Sequence, residues 1–143
     1  MHSDLWVQST TCRSCNLSLA EPFLDNTKNG FDSTASSSYQ ATRGSVQLSY
    51  GDGSALVGNA ATEVVTLGAF YALHDSVTKS QTVGQFTVQQ QSFILATQQN
   101  SNFGTAGLIG LAWESIAQSG GAPWWFNALS QFQQPEMSFY FAE

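Results

Sequence analysis

The feature that most limits the possible folds is a segment of alternating apolar and polar residues that ends in a glycine-rich turn. From Ser45 to Tyr50 every second residue is apolar, the pattern of a β-strand with one buried face. Gly51–Ser54 follows, and its two glycines permit the positive φ angles that a tight turn requires. The run Ala55–Gly58 then predicts the returning strand of a β-hairpin.

Further short strands and little helix are predicted along the rest of the chain. Strand-like runs lie at 62–68, 86–88, 92–96 and 136–142. A short helix is predicted after Pro123 and ends before Pro135, and residues 114–118 can form one more turn. The apolar stripe of this helix comprises Trp125, Ala128, Leu129 and Phe132. The pattern predicts a mainly β single domain over residues 1–143, a barrel or sandwich with one or two short helices.

The charge balance excludes two classes of partner. Ten acidic residues against four basic ones give a net charge of −6 at pH 7, so the basic surface that nucleic-acid binding needs is missing. No apolar run approaches the ~20 residues of a membrane span. The two histidines, His2 and His74, have no partners at metal-ligand spacing. We therefore expect no nucleic acid, membrane, metal or cofactor.

Cys12 and Cys15 form an even pair three residues apart. A zinc half-site lacks a second ligand cluster, and a thioredoxin-like motif lacks a surrounding βαβ unit, so we predict a disulfide across a small surface loop. Asn16 begins a glycosylation sequon in the same loop. With an acidic, lysine-poor composition, these features predict a secreted protein. The chain starts without a secretory signal, so we expect that a leader was either cleaved or left out of this sequence.

Six segments resemble, in the correct order, the amino-terminal lobe of the pepsin-type aspartic proteases. They are Ser3–Ser9, which contains Leu5-Trp6-Val7 and precedes the cysteine pair; Phe31–Tyr39; Tyr50–Ser54; Gly107–Ala112; Pro123–Phe126; and Ser138–Phe141. In that family Tyr50–Ser54 corresponds to the flap turn, which closes over the substrate. The resemblance implies a pepsin-like acid-protease lobe built of a β-barrel or orthogonal sheets. A glutamine-rich, lysine-poor composition favours a fungal member.

Catalysis in this family needs two aspartates, one per lobe, that share a proton around an attacking water. Each lies in an Asp-Thr/Ser-Gly triplet, and this sequence contains no such triplet. The family pattern, followed back from Leu5, places the first aspartate before Met1, and Met1 and His2 stand where the family has Gly and Ser. We therefore expect a truncated lobe of a secreted aspartic endopeptidase with no catalytic residue of its own, inactive alone.

The resemblance also implies substrate-binding residues. Tyr50 would be the flap tyrosine, and Trp6 would be its hydrogen-bond partner behind the hairpin. The backbone at Gly51 and Asp52 would contact an extended peptide.

The opposite wall of this peptide site is expected at Thr105 and Leu108, nearest the cleaved bond, and we call the space between this wall and the flap turn the flap groove. The family usually has a large apolar residue at the position of Thr105 and a carboxylate at that of Ala106, so this wall departs from its pattern. Trp6 and Leu108 are equally compatible with plain core positions.

Two alternatives and one mode of association remain open. The chain could be a non-enzymatic protein that binds peptides or glycans through the Tyr50 hairpin, or a homodimeric acid hydrolase that uses Asp52 or Asp4. Against the second, we interpret Asp52 and Asp32 as acceptors for turn amides and Asp4 as a surface residue. Because the lobe would lack its leading strands, exposed strand edges predict a C₂ homodimer.

Overall fold

The structure is a computed structural model that describes residues 3–15, 30–67, 86–100, 103 and 105–137. These residues are mainly β, with one short α-helix, as the sequence predicts. The strands are β1 (Leu5–Gln8), β2 (Gln40–Ser49), β3 (Ala55–Leu67), β4 (Phe86–Gln99) and β5 (Gly107–Ile109); the helix α1 is Trp124–Ala128; and 3₁₀ turns lie at Glu114–Ile116 and Leu129–Gln131.

The five strands form one mixed sheet in the order β2-β3-β4-β1-β5. β2, β3 and β4 are successively antiparallel, whereas β1 runs parallel to β4 and antiparallel to β5. Over the described ranges this sheet is open, so the barrel of the predicted fold is not closed by these strands. The result is a sheet consistent with a pepsin-like lobe, with β1 placed in its interior.

The predicted hairpin is present, and its strands are longer than the sequence pattern indicates. β2 pairs with β3 from Gln40 opposite Thr62 to Ser49 opposite Ala55. The strand-like runs at 86–88 and 92–96 are one strand, because the polar residues between them continue the ladder with β3, interrupted by a register shift. Of the strand predicted at 136–142, residues 136 and 137 lie outside any strand and 138–142 lie outside the described ranges.

The helix after Pro123 packs through the predicted apolar stripe and also through Trp124, which that stripe omits. Pro123 precedes the helix as its cap residue, and the buried residues are Trp124 and Ala128, four positions apart. Trp124 packs with Val88 and donates its indole N–H to the backbone carbonyl of Val65 at 3.2 Å. The predicted stripe is confirmed at Ala128, which is buried, and at Trp125 and Phe132, which are partly buried against the same cluster. Trp124 was missed.

The core lies on both faces of the interior strands because side chains alternate along them. On one face, Trp6 packs with Ile94, its register partner on β4. On the other face, Leu5 packs with Phe93 and Leu95. β3 approaches β4 so closely that a Cβ on Gly58 would lie 2.5 Å from the carbonyl oxygen of Leu95. No helix in these ranges is long and apolar enough to cross a membrane.

Candidate functional site

The flap turn is a tight connection with an internal side-chain acceptor. Tyr50 N donates to Ser54 O at 2.8 Å, and Gly53 N donates to Tyr50 O at 3.0 Å. Gly53 has a φ of 85°, a conformation that favours glycine. Asp52 Oδ1 accepts from Ser54 N at 2.9 Å and from Ser54 Oγ at 2.6 Å. The turn leaves Gly51 and Asp52 exposed at its tip.

The Asp52 carboxylate therefore organises its own turn. The hydrogen bonds from the Ser54 hydroxyl and backbone hold the pKa of Asp52 below its ordinary value. This confirms the interpretation of Asp52 as an acceptor for turn amides. Asp32 repeats the arrangement with Thr34, whose backbone N–H and hydroxyl lie 2.9 and 2.6 Å from Asp32 Oδ1, and its pKa is lowered for the same reason.

Tyr50 and Trp6 are joined across the hairpin. Trp6 Nε1 donates to the Tyr50 hydroxyl oxygen at 2.8 Å, and the Trp6 side chain is fully buried. Phe103 touches both rings edge-on, with centroids 5.1 Å from Trp6 and 5.6 Å from Tyr50. The hydrogen bond inferred from the family resemblance is thus present, and a role for it in substrate binding remains a prediction.

The Tyr50 hydroxyl is neutral throughout the acidic range. Burial raises its pKa above the ordinary value, the hydrogen bond from Trp6 opposes this, and the negative charges of Asp4 and Asp52 add to it. A neutral phenolic hydroxyl can both accept and donate a hydrogen bond. Tyr50 is therefore suited to hydrogen bonding and unsuited to acid–base catalysis at low pH.

The predicted opposite wall lies on and beside β5. Leu108 pairs in register with Trp6, is half-buried, and packs against the same buried cluster as Tyr50 and Phe103. Thr105 precedes the strand, and its hydroxyl donates to Gly107 O at 2.8 Å. The fold thus brings Trp6, Tyr50 and Leu108 into one cluster.

Asp4 is a buried structural acceptor, so its interpretation as a surface residue was wrong. It is 2% exposed. Its two oxygens accept from the backbone nitrogens of Gln118 at 3.0 Å and Ser119 at 2.8 Å. A carboxylate can be buried where N–H donors replace water, and Asp4 joins the segment before β1 to the loop after the 3₁₀ turn at Glu114–Ile116.

The Cys12–Cys15 disulfide is present, with Cα atoms 5.4 Å apart, which confirms that prediction. Ser14 within this loop accepts from the backbone N–H of Gln99 at 2.7 Å and so attaches the loop to the end of β4. The sequon residue Asn16 lies outside the described ranges. Among the residues that the structure does describe, no group of three or more His, Cys, Asp or Glu side chains could hold a metal ion.

Sequence reasoning missed three features near the hairpin. Phe103 lacks a recognisable strand pattern around it, yet it contacts both Trp6 and Tyr50. Asn100, at the end of β4, bonds to the flap turn through its side chain. Glu63 lies in β3 and accepts from the hydroxyls of Ser36 and Ser38. Each contact joins segments distant in sequence, so no local sequence pattern predicts it.

Comparisons with known proteins assign the family. The profile of the family described as eukaryotic aspartyl protease matches residues 2–143. The chain is 33% identical over 143 residues to major aspartyl peptidase 1 of Cryptococcus neoformans var. grubii, an alignment covering 96% of this chain and 24% of that protein. It is 33% identical to syncephapepsin of Syncephalastrum racemosum, covering 83% and 24%, and 31% identical to procardosin-B of Cynara cardunculus, covering 97% and 24%.

The chain spans about a quarter of the length of these curated relatives, and fungal proteins are prominent among them. The family profile covers every residue that the structure describes. The predicted resemblance is confirmed: the chain belongs to the eukaryotic aspartyl protease family, with pepsin-type relatives.

Proposed function

We propose that this chain is the amino-terminal lobe of a secreted, pepsin-like aspartic endopeptidase that hydrolyses peptide bonds at acidic pH. The observation that carries the proposal is the 2.8 Å hydrogen bond from Trp6 to Tyr50. This bond holds the flap turn beside the aromatic and aliphatic cluster that contains Phe103 and Leu108. The family match supports the same activity for the whole protein.

The role proposed for this lobe is to bind an extended peptide in the flap groove. Gly51 and Asp52 are exposed at the turn, so their backbone groups are accessible to a peptide main chain. Main-chain hydrogen bonds supply affinity in such complexes, and neighbouring pockets select side chains. Half-buried Leu108 and the ring of Tyr50 supply an apolar surface for a substrate side chain.

This 143-residue chain is proposed to bind peptides without cleaving them. Its sequence contains no Asp-Thr-Gly or Asp-Ser-Gly triplet, and the reaction requires two carboxyl groups that share one proton. Asp4, Asp32 and Asp52 each accept hydrogen bonds from backbone N–H groups. A carboxylate committed to its own turn or loop is poorly placed to activate a water molecule.

A cleavage assay tests the inactivity. The chain is incubated with an unfolded protein substrate at about pH 3–5, with and without a pepstatin-type inhibitor, and products are followed by mass spectrometry. We expect no turnover, and no difference between the wild type and Asp52→Asn. Inhibitor-sensitive turnover that Asp52→Asn or Asp4→Asn abolishes would contradict the proposal and favour a homodimeric hydrolase.

The second candidate function is a non-enzymatic binding protein for peptides or glycans. Besides the missing triplet, the observation that favours it is Trp113, which is 71% exposed and lies edge-on to Trp125 with ring centroids 5.4 Å apart. Exposed aromatic rings are suited to apolar contact with a ligand. A glycan array separates the two candidates. An endopeptidase lobe is expected to bind none of the glycans. Saturable glycan binding that is lost in Trp113→Ala would favour the second candidate.

A further inference from the structure

Asn100 joins the end of β4 to the flap turn through both atoms of its carboxamide. Its Oδ1 accepts from Ala55 N at 2.6 Å, and its Nδ2 donates to Gly53 O at 3.1 Å. Its own backbone N–H donates to Ala55 O at 3.0 Å. One residue therefore makes three hydrogen bonds to the two residues that flank Ser54. We call the two side-chain bonds the Asn100 bridge.

The bridge requires one side chain that offers a donor and an acceptor side by side. A carboxamide does this, whereas a hydroxyl is too compact to reach two groups and an ionised carboxylate offers no donor. Asn100 is exposed, so the bridge contributes nothing to the apolar core. Its effect is confined to the position of the flap turn.

The flap turn is thus held from two directions. Tyr50, which opens the turn, is bonded to Trp6 of β1, and Gly53 and Ala55 on its returning side are bonded to Asn100. The Asn100 bridge adds to the backbone attachments of the returning side, which are the pairs of Ala55 with Ser49 and of Leu56 with Gln99 and the bond from Asn100 N to Ala55 O. A turn fixed at both ends loses less conformational entropy when a ligand orders it.

We propose that Asn100 is a positioning residue for peptide binding, which acts by fixing the flap turn in the conformation that receives the peptide backbone. The inference rests on the proposed function of the flap groove. Asn100 touches the turn and not the peptide, so its contribution is to preorganise Gly51 and Asp52. Loss of the bridge is expected to weaken peptide binding and to leave the sheet folded.

The discriminating variant is Asn100→Asp, studied in the whole chain as a function of pH. Below its ordinary pKa of about 4, the new carboxyl group is neutral, and it can accept from Ala55 N and donate its O–H to Gly53 O. Above that pH it is ionised, loses the donor and repels the Gly53 carbonyl oxygen. Gln98→Glu is the matched control, because it adds a carboxyl group at an exposed neighbouring position outside the bridge.

Two quantities are measured against the wild type at each pH. They are the dissociation constant of an extended unstructured peptide, and the hydrogen-exchange rate of the Gly53 amide, which donates to Tyr50 O within the turn. We expect Asn100→Asp to match the wild type near pH 3 and to lose roughly fivefold to tenfold in affinity by pH 6, the loss typical of one hydrogen bond. Exchange at the Gly53 amide should accelerate relative to the wild type over the same range, because the Gly53 carbonyl has lost its attachment to residue 100. Gln98→Glu should change neither quantity.

Asn100→Ser serves as the second variant and should bind the peptide more weakly than the wild type at every pH. Recovery of Asn100→Asp near pH 3 demonstrates in the same sample that the protein is folded. Unchanged exchange at Gly53, or faster exchange with unchanged affinity, would overturn the positioning role. Absence of peptide binding by the wild type is a different result, since it would overturn the proposed function of the flap groove and, with it, the role of Asn100 there.

Discussion

The indole nitrogen of Trp6 donates a 2.8 Å hydrogen bond to the hydroxyl of Tyr50, across 44 residues of sequence. Trp6 belongs to β1, which is paired on both sides, by β4 and by β5. Tyr50 opens the flap turn. The bond therefore attaches the flap turn, which is proposed to contact substrate, to a strand in the interior of the sheet.

Tyr50→Phe should destabilise the fold although it leaves the aromatic packing in place. The change removes the acceptor of the buried Trp6 N–H, and an unsatisfied buried donor costs about 1–3 kcal/mol. The free energy of unfolding from urea denaturation measures the effect. Tyr39→Phe is the matched control, because the Tyr39 ring also packs on aromatic residues, Phe31 and Phe93, and a similar loss in both variants would refute a special role for the Trp6 bond.

Asp4→Asn should also destabilise the chain, for a different reason. One of the two Asp4 oxygens becomes an NH₂ group that faces a backbone N–H of Gln118 or Ser119. We expect a loss of about 1–3 kcal/mol in the free energy of unfolding, measured by denaturant titration. Asp32→Asn, an exposed carboxylate with similar local bonds, should cost less. Equal costs would mean that burial of Asp4 adds nothing.

Glu63 should make stability depend on pH. Burial alone would raise its pKa, but the hydrogen bonds from Ser36, Ser38 and the backbone of Val64 outweigh burial, so the pKa of Glu63 lies below its ordinary value. A carboxyl group with a lowered folded-state pKa stabilises the fold above the unfolded-state pKa, and that stabilisation is lost as pH falls through the folded-state value.

The measurement for Glu63 is the free energy of unfolding from about pH 7 down to pH 3. The wild type should lose more stability than Glu63→Gln over the acid end of this range, because only the wild type must protonate the bonded carboxylate. Glu114→Gln provides a control at an exposed carboxylate. Parallel curves for the wild type and Glu63→Gln would contradict this account of the Ser36 and Ser38 contacts.

Self-association remains a prediction from the edges of the sheet. β2 and β5 are the outermost strands over the described ranges, and unpaired strand edges are templates for pairing with another chain. We expect a C₂ dimer, seen as twice the protomer mass in light scattering across micromolar concentrations. A charge placed at an exposed position of the edge strand β2 by Gln47→Lys should favour the monomer. A wild-type mass of one protomer at all concentrations would refute the prediction.

The sequence predicts the hairpin and the fold class well because both depend on local patterns. Alternation from Ser45 to Tyr50 and the glycines of the turn are sufficient to place β2, the turn and β3. The strand boundaries are less accurate, since the ladder between β3 and β4 continues through glutamines whose local preference is weak. The strand conformation of those glutamines is determined by pairing with β3 and not by local sequence preference.

The side-chain contacts of the site were predictable where the family resemblance supplied them, or where both partners lie within one short turn, as with Asp52 and Ser54. The bond between Trp6 and Tyr50 is one such contact. The burial of Asp4 was missed because its donors, Gln118 and Ser119, lie more than a hundred residues away in sequence. Asn100 was missed for a similar reason, because a single polar residue at a strand end has no pattern that distinguishes it from an ordinary loop residue.

The central claim is that the flap turn of this chain receives an extended peptide that the chain does not cleave. The most direct measurement is a ¹⁵N NMR titration of the chain with an unstructured peptide at about pH 4, with mass spectrometry of the same sample. The account predicts saturable shifts of the Gly51 and Asp52 amides, little change at distant Gly120, and intact peptide at the end. Unshifted Gly51 and Asp52 amides at saturating peptide, or peptide cut by the purified chain, would contradict it.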